Sequence, residues 1–272
     1  MDDKRLDLEA LFRLPSAAEK GRSPERDATR RALIAALPVH PLRNGHVLSA
    51  LHDPMSPATE QYRTVKARLD YISRNEGRAI HTIVVTSPSP GDGKTLTALN
   101  LALVLAQDES KAVLIIDADL RKPGLRDYFA HRPKIGLIEL LAREVGLSAG
   151  LFRLDGSRLV VLPSGARATN PAELLSSPKM EELLRVLASR FDYVIIDTPP
   201  VGAFVDADGL AAVADATILV VRSGQTLRRR VAQAVETVSK HRFLGVILND
   251  LRHTPLDRYY NRRDYYYYQK KK

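Results

Sequence analysis

Residues 82–106 read TIVVTSPSPGDGKTLTALNLALVLA. Three patterns follow one another here. TIVVT (82–86) is a short β-branched apolar run, as expected of a strand buried on both faces. SPSPGDGKT (87–95) carries the prolines and glycines of a loop. From about 95 to 106 the chain has the apolar pattern of a buried helix. A strand that feeds a helix through a glycine-rich loop builds an anion site. Gly91 and Gly93 let the backbone approach the anion, and the first N–H groups of the helix point at the same spot. Lys94 adds a cation, and Thr95 adds a hydroxyl suited to Mg²⁺. Pro90, Gly91, Asp92, Gly93, Lys94, Thr95 and Leu96 together form the expected phosphate cradle. The general pattern of such loops places another glycine six residues ahead of the lysine, where this chain has Pro88. A plain Gly/Pro turn is the other reading of the loop by itself; its place between a buried strand and an apolar helix favours phosphate.

Working outward, strand-like runs recur at 112–117, 158–162, 192–197, 216–221 and 243–248. Helical patterns lie between them at about 171–189 and 226–241. Alternation of this kind predicts an α/β fold, with a mostly parallel central sheet and helices on both faces. In such sheets ligands bind at the carboxyl ends of the strands. There the chain offers DADLRKP after the run at 112–117 and DTPP after the run at 192–197. A single Asp ending an apolar strand is as readily a helix cap or a turn residue. Asp117, Asp119 and Asp197 around one phosphate loop point to chemistry. Mg²⁺ prefers oxygen ligands and water, with one or two carboxylates as the protein's share, which leaves a carboxylate to handle a proton. Arg121 and Lys122 either neutralise phosphate charge or are surface residues. Asn249 is either an adenine contact or a turn-forming Asn.

The 272 residues suffice for one large α/β domain or two small ones, and a hydrophobic fraction of 44% supports an ordinary core. The absence of cysteine excludes disulfides, thiolate metal sites and cysteine nucleophiles, and fits a reducing cytosol. The start has no apolar h-region, and the apolar runs fall far short of the roughly 20 residues a membrane helix needs. A net charge of +9 suits an anionic partner, or no more than a soluble basic surface. Residues 1–50 have weak periodicity and read as a mobile or loosely helical leader. Residues 57–74 read as a helix capped by Ser56, with Pro57 at its first position and Tyr62, Val65, Leu69 and Ile72 on one face. The chain ends LDRYYNRRDYYYYQKKK, so that six of its ten tyrosines fall within 259–268.

These motifs resemble those of the bacterial tyrosine kinases, P-loop NTPase-like autokinases of capsule and exopolysaccharide systems. SPSPGDGKT resembles the family's Walker A motif, in which the first glycine is commonly missing. VLIIDADLRKP resembles Walker A′, and YVIIDTPP resembles Walker B. The end of the chain resembles the family's C-terminal tyrosine cluster. EQYRTVK resembles the oligomerisation motif ExxRxxR through Glu60 and Arg63, with Lys66 in place of the last arginine; Lys66 keeps the charge and loses the bidentate fork. The partition-type ATPases, the nearest relatives to exclude, carry a second lysine near the start of the loop, where this chain has Ser89.

The resemblance implies a leader (1–50), a P-loop kinase domain (51–257) and a flexible tyrosine-rich tail (258–272). It implies ATP and Mg²⁺ as cofactors. Lys94 would contact the β/γ phosphates, Arg121 would assist there, and Thr95, Asp119 and Asp197 would hold the metal. Asp117 would take the phenol's proton, although Asp117 and Asp119 can exchange roles. Tyr259, Tyr260, Tyr265, Tyr266, Tyr267 and Tyr268 would be the phosphoacceptors. A phenol, with pKa near 10, needs such a base at neutral pH. Glu60, Arg63 and Lys66 would join subunits into a closed homo-oligomer such as a ring. A separate transmembrane polysaccharide co-polymerase would activate the kinase at the cytoplasmic face of the inner membrane, and no nucleic acid is expected. Two other classes stay open: a partition-type ATPase acting on DNA or membrane, and a nucleotide-gated scaffold of the export machinery.

Overall fold

The computed structural model describes residues 24–43, 48–75, 79–131, 133–142 and 145–251. Strand β2 (Thr82–Thr86), β3 (Val113–Asp117) and β6 (Tyr193–Asp197) are buried at every position and form the middle of the sheet. Their alternation sorts side chains onto two faces. Ile83, Val85, Val113, Ile115, Tyr193 and Ile195 join one core layer. Val84, Leu114, Ile116, Val194 and Ile196 join the other. The first layer is closed by helix α4 (Lys94–Ala106), buried from Thr97 to Ala106, and by the apolar side of α3 (Pro57–Asn75). The second is closed by α5 (Leu137–Leu141), α7 (Pro178–Ala188) and α8 (Asp206–Val213). Helices on both faces of a largely parallel sheet match the expected fold class.

With β1 (Val39–His40), β4 (Phe152–Leu154), β5 (Val160–Leu162), β7 (Ala216–Arg222) and β8 (Phe243–Asn249), the strand order is β1-β4-β5-β3-β6-β2-β7-β8. All pairings are parallel except β4 with β5. The β3–β6 register sets Asp117 opposite Asp197, and the β2–β6 register sets Val85 opposite Asp197. Three neighbouring strands, β3, β6 and β2, therefore end at one level, with the phosphate loop rising from β2.

Helix α3 follows its sequence signals. Ser56 Oγ accepts the Thr59 N–H at 3.2 Å, and Leu69 is buried beside Tyr62, Val65 and Ile72. The single helix expected at 171–189 is two: α6 (Pro171–Leu175) and α7. Pro178 has no N–H to continue the first helix, and Ser177 caps the second by accepting the Met180 N–H at 3.3 Å. The segment read as a leader supplies α1 (Pro24–Ala35) and edge strand β1, with the short α2 (Ser49–His52) at its end, and it buries Leu33, Ile34 and Leu37. Arg30 ties α1 to the sheet through a 3.1 Å ion pair with Asp192.

Candidate active site

The phosphate loop depends on two residues with positive φ, Gly91 at 85° and Gly93 at 92°, values that side-chain-bearing residues rarely adopt. A Cβ on Gly93 would also lie 1.9 Å from the Asn249 side chain. The loop is braced by its own Asp92, which is buried. One Asp92 oxygen accepts the Ser89 N–H at 2.9 Å, and the other accepts the Thr226 hydroxyl at 2.7 Å. The Asn249 amide donates to the Asp92 carbonyl at 2.9 Å. Pro90 and Gly91 form an exposed crest, while Leu96 packs beneath on the core. Gly93 leads into α4, whose first turn has neither a capping side chain nor an acid. The positive end of that helix is therefore available to an anion.

Lys94, Thr95, Asp117, Asp119 and Asp197 converge below the loop. Lys94 Nζ lies 2.9 Å from Asp119 Oδ2 and 4.0 Å from Asp197 Oδ1. The Thr95 hydroxyl donates to Asp197 Oδ2 at 2.6 Å. Gly124 makes room for it, since a Cβ there would stand 2.7 Å from Thr95 Oγ1. Backbone N–H groups of Leu125 and Lys122 donate to Asp117 Oδ2 (3.1 Å) and Asp119 Oδ1 (3.0 Å). Asp117 and Asp197 are each 0% exposed, and Oδ1 of each accepts no hydrogen bond.

Burial pushes the Asp117 carboxyl well above the usual carboxylate range, and the neighbouring Asp197 and Asp119 add to the effect. Burial likewise lifts Asp197 to about 6, against the pull of Lys94 and the Thr95 hydroxyl. Burial opposes the charge on Lys94, but Asp197 and Asp119 outweigh it and hold the ammonium above its ordinary range.

Asp197 Oδ1, a buried carboxylate oxygen without a donor, together with the Thr95 hydroxyl and the Asp119 carboxylate, offers the oxygen ligands that a hard cation takes. Among the described residues no three His, Cys, Asp or Glu side chains converge as a metal cage. An ion here would complete its shell with water and phosphate oxygens, as Mg²⁺ does at nucleotide sites.

Arg121, expected at the phosphates, is forked onto buried Asp206 at 2.6 and 3.1 Å, with its guanidinium 4.3 Å from the Phe204 ring centroid. Asn249 holds the loop backbone. Thr226 and Asp206 went unmarked in the sequence, because each meets its partner across more than eighty residues of chain. On α3, Arg63 pairs with Glu60 and reaches Gln107 Oε1 at 3.5 Å. Lys66 lies 3.5 Å from Asp70 and 3.8 Å from Asp108. The expected interface residues thus run along α3 beside the end of α4. Tyr259, Tyr260, Tyr265, Tyr266, Tyr267 and Tyr268 lie outside the described residues.

A family model described as "AAA domain" matches residues 80–243, more than half of the chain. The tyrosine-protein kinase YwqD of Bacillus subtilis is 41% identical over 202 residues, 74% of this chain and 84% of YwqD. The chain belongs to the bacterial tyrosine kinase family. The kinase domain of Escherichia coli tyrosine kinase ETK superposes with a TM-score of 0.72 at 25% identity, over 86% of this chain and 95% of that domain. The succinoglycan biosynthesis transport protein ExoP of Rhizobium meliloti is 35% identical over 211 residues, 76% of this chain and 26% of ExoP. The same fold therefore serves as the larger part of a short kinase and as a minor part of a much longer protein.

Proposed function

We propose that this member of the bacterial tyrosine kinase family transfers the γ-phosphoryl group of Mg·ATP to tyrosines of its own C-terminal tail. The observation that carries the proposal is the convergence of Lys94, Thr95, Asp117 and Asp197 beneath the phosphate loop. Bound Mg·ATP would supply the phosphoryl group and the metal's charge. Thr95, Asp119 and Asp197 would hold the ion, partly through water. Lys94, kept charged by its carboxylate neighbours, would neutralise the β/γ phosphates. The loop N–H groups and the open end of α4 would fix the phosphate chain.

Asp117 is the better-placed base of the two candidates. Its Oδ2 is committed to the Leu125 N–H, whereas its Oδ1 accepts nothing and is open to a proton. Asp119 is already ion-paired to Lys94 and bonded to the Lys122 N–H. A carboxyl raised by burial also matches a phenol better than an ordinary one does. The proton would pass from the phenol to Asp117 Oδ1 as the phenolic oxygen bonds to the γ-phosphorus, and the bond from that phosphorus to the β–γ bridging oxygen would break, with ADP leaving.

Transfer between subunits of a closed oligomer joined through Glu60, Arg63 and Lys66 would let each tail reach a neighbour. A separate transmembrane co-polymerase would activate the kinase at the inner face of the membrane, in support of exopolysaccharide or capsule assembly. The name borne by ExoP supports the polysaccharide link. No helix among the described residues is long and apolar enough to cross a membrane.

Incubation of the purified chain with Mg·ATP, followed by mass-spectrometric mapping, tests the proposal. Phosphotyrosine within 259–268 is expected. ATP hydrolysis without phosphotyrosine, with the activating segment also present, would replace the kinase by a partition-type ATPase. Nucleotide binding without either would leave a scaffold.

A further inference from the structure

Helix α9 (Arg228–Val238) opens with three consecutive arginines, and no acid stands in its first turn. Arg228, Arg229 and Arg230 are all exposed. Cations at the positive end of a helix are unfavourable unless an anion offsets them. Nearby carboxylates are already engaged. Asp250 is paired with Arg222 at 2.9 Å, and Asp92 is buried with both oxygens bonded. Arg230 reaches the phosphate loop at Ser89 Oγ, 3.2 Å away. The patch therefore borders the active-site loop.

We propose that Arg228 and Arg229 form a docking surface for the phosphorylated C-terminal tail of this chain. The inference rests on the reading above that the tail tyrosines are the acceptors. The tail leaves the fold at the same corner: Asp250 holds Arg222, the Arg222 N–H donates to Thr226 Oγ1 at 3.0 Å, and Arg228 follows Thr226 by two residues. Tyr259 is eight residues beyond Leu251, a reach of at most roughly 28 Å.

Charge makes the docking conditional. Residues 258–272 carry six basic side chains and one acid, so the unmodified tail is repelled by an arginine patch. Each phosphate brings about −1.5 to −2 charges and oxygens that suit the guanidinium fork. Three phosphates cancel the tail's charge, and six reverse it. A modified tail held here lies beside the phosphate loop and hinders the presentation of further tyrosines.

The test titrates the full-length, unphosphorylated protein into a fluorescent synthetic peptide of residues 256–272 bearing three phosphotyrosines. The unmodified peptide serves as the control. The phosphopeptide should bind at least about tenfold tighter, the loss expected from one charge-assisted hydrogen bond. The Arg228→Glu/Arg229→Glu double variant should abolish the difference while keeping the wild-type circular dichroism spectrum and nucleotide affinity. Equal binding of the two peptides would overturn the proposal, as would undiminished binding by the double variant. Displacement of the phosphopeptide by duplex DNA at equal phosphate concentration would make the patch a nucleic-acid surface instead. The peptide is phosphorylated chemically, so the result does not depend on kinase activity. A chain that binds it yet makes no phosphotyrosine would refute the kinase reading and leave the docking surface standing.

Discussion

Asp117 and Asp197 are partners on the last rung of the β3–β6 ladder, both wholly buried, and each has one oxygen that accepts no hydrogen bond. Two carboxyl groups so placed disfavour each other's charge, and burial disfavours both. The nucleotide-free protein therefore carries an electrostatic cost that its ligands should relieve.

The sign of that cost fixes a pH dependence. The folded pKa of Asp197, about 6, lies above its ordinary value of 3.8. The group's contribution to stability is thus fully present below about pH 4 and lost as pH rises through 6. The shift corresponds to about 3 kcal/mol at most. Asp197→Asn should raise the urea midpoint of the nucleotide-free protein at pH 7.5, and its advantage over wild type should shrink towards pH 5. A constant advantage across that range would show that Asp197 does not titrate as described.

Lys94→Met removes the only side-chain cation within 4 Å of Asp119 and Asp197 among the described residues. Loss of one such transition-state contact lowers kcat by about 10²–10³-fold or more. Phosphotyrosine should fall below detection in a protein whose circular dichroism is unchanged. Wild-type phosphorylation in this variant would remove Lys94 from the mechanism.

Asp117→Asn keeps the shape and the Leu125 contact but cannot accept the phenol's proton. It should lower kcat by about 10²–10⁴-fold with little change in KM for ATP. Asp119→Asn, which loosens Lys94, should raise KM as well. The opposite split would exchange the two roles.

Thr226→Val leaves one buried Asp92 oxygen without its donor, a loss of about 1–3 kcal/mol. Nucleotide affinity should fall, and Thr226→Ser should restore it. Calorimetry with ADP reads the outcome without any turnover. Failure of serine to rescue would mean that valine acts by shape and not through the hydroxyl.

If the stripe on α3 joins subunits, Arg63→Glu should convert the unphosphorylated oligomer to monomers. Multiple tail phosphorylation of the wild type should do the same. Light scattering on Lys94→Met, on phosphorylated wild type and on Arg63→Glu settles the point. Equal masses for the first two would sink the coupling, and an unchanged oligomer in Arg63→Glu would take α3 out of it.

What could be read from sequence was local. The β2–loop–α4 unit announces itself because a buried strand, positive-φ glycines and an apolar helix follow one another without interruption. The central strands were legible from uninterrupted β-branched runs ending in Asp117 and Asp197. Strands β1 and β4, two and three residues long, are too short to show a period, and β1 takes its edge position by pairing with β4, more than a hundred residues along the chain. The division between α6 and α7 was written in Ser177 and Pro178, yet the apolar pattern ran across it. Arg121 illustrates the limit at the site. Its place after a strand suggested phosphate, and only folding brings Asp206 to it. Thr226 carried no signal, since a single threonine beyond a strand gains meaning only once Asp92 lies 2.7 Å away.

The order of strands also bears on how the molecule could be tethered. Strand β1 forms one margin of the eight-stranded sheet and β8 the other. At about 4.8 Å between neighbouring strands, they stand roughly 34 Å apart across the sheet. A tether at the β1 margin would hold the protein at the side remote from the corner at Leu251. A fusion placed directly after β8 would instead crowd the phosphate loop that Asn249 supports.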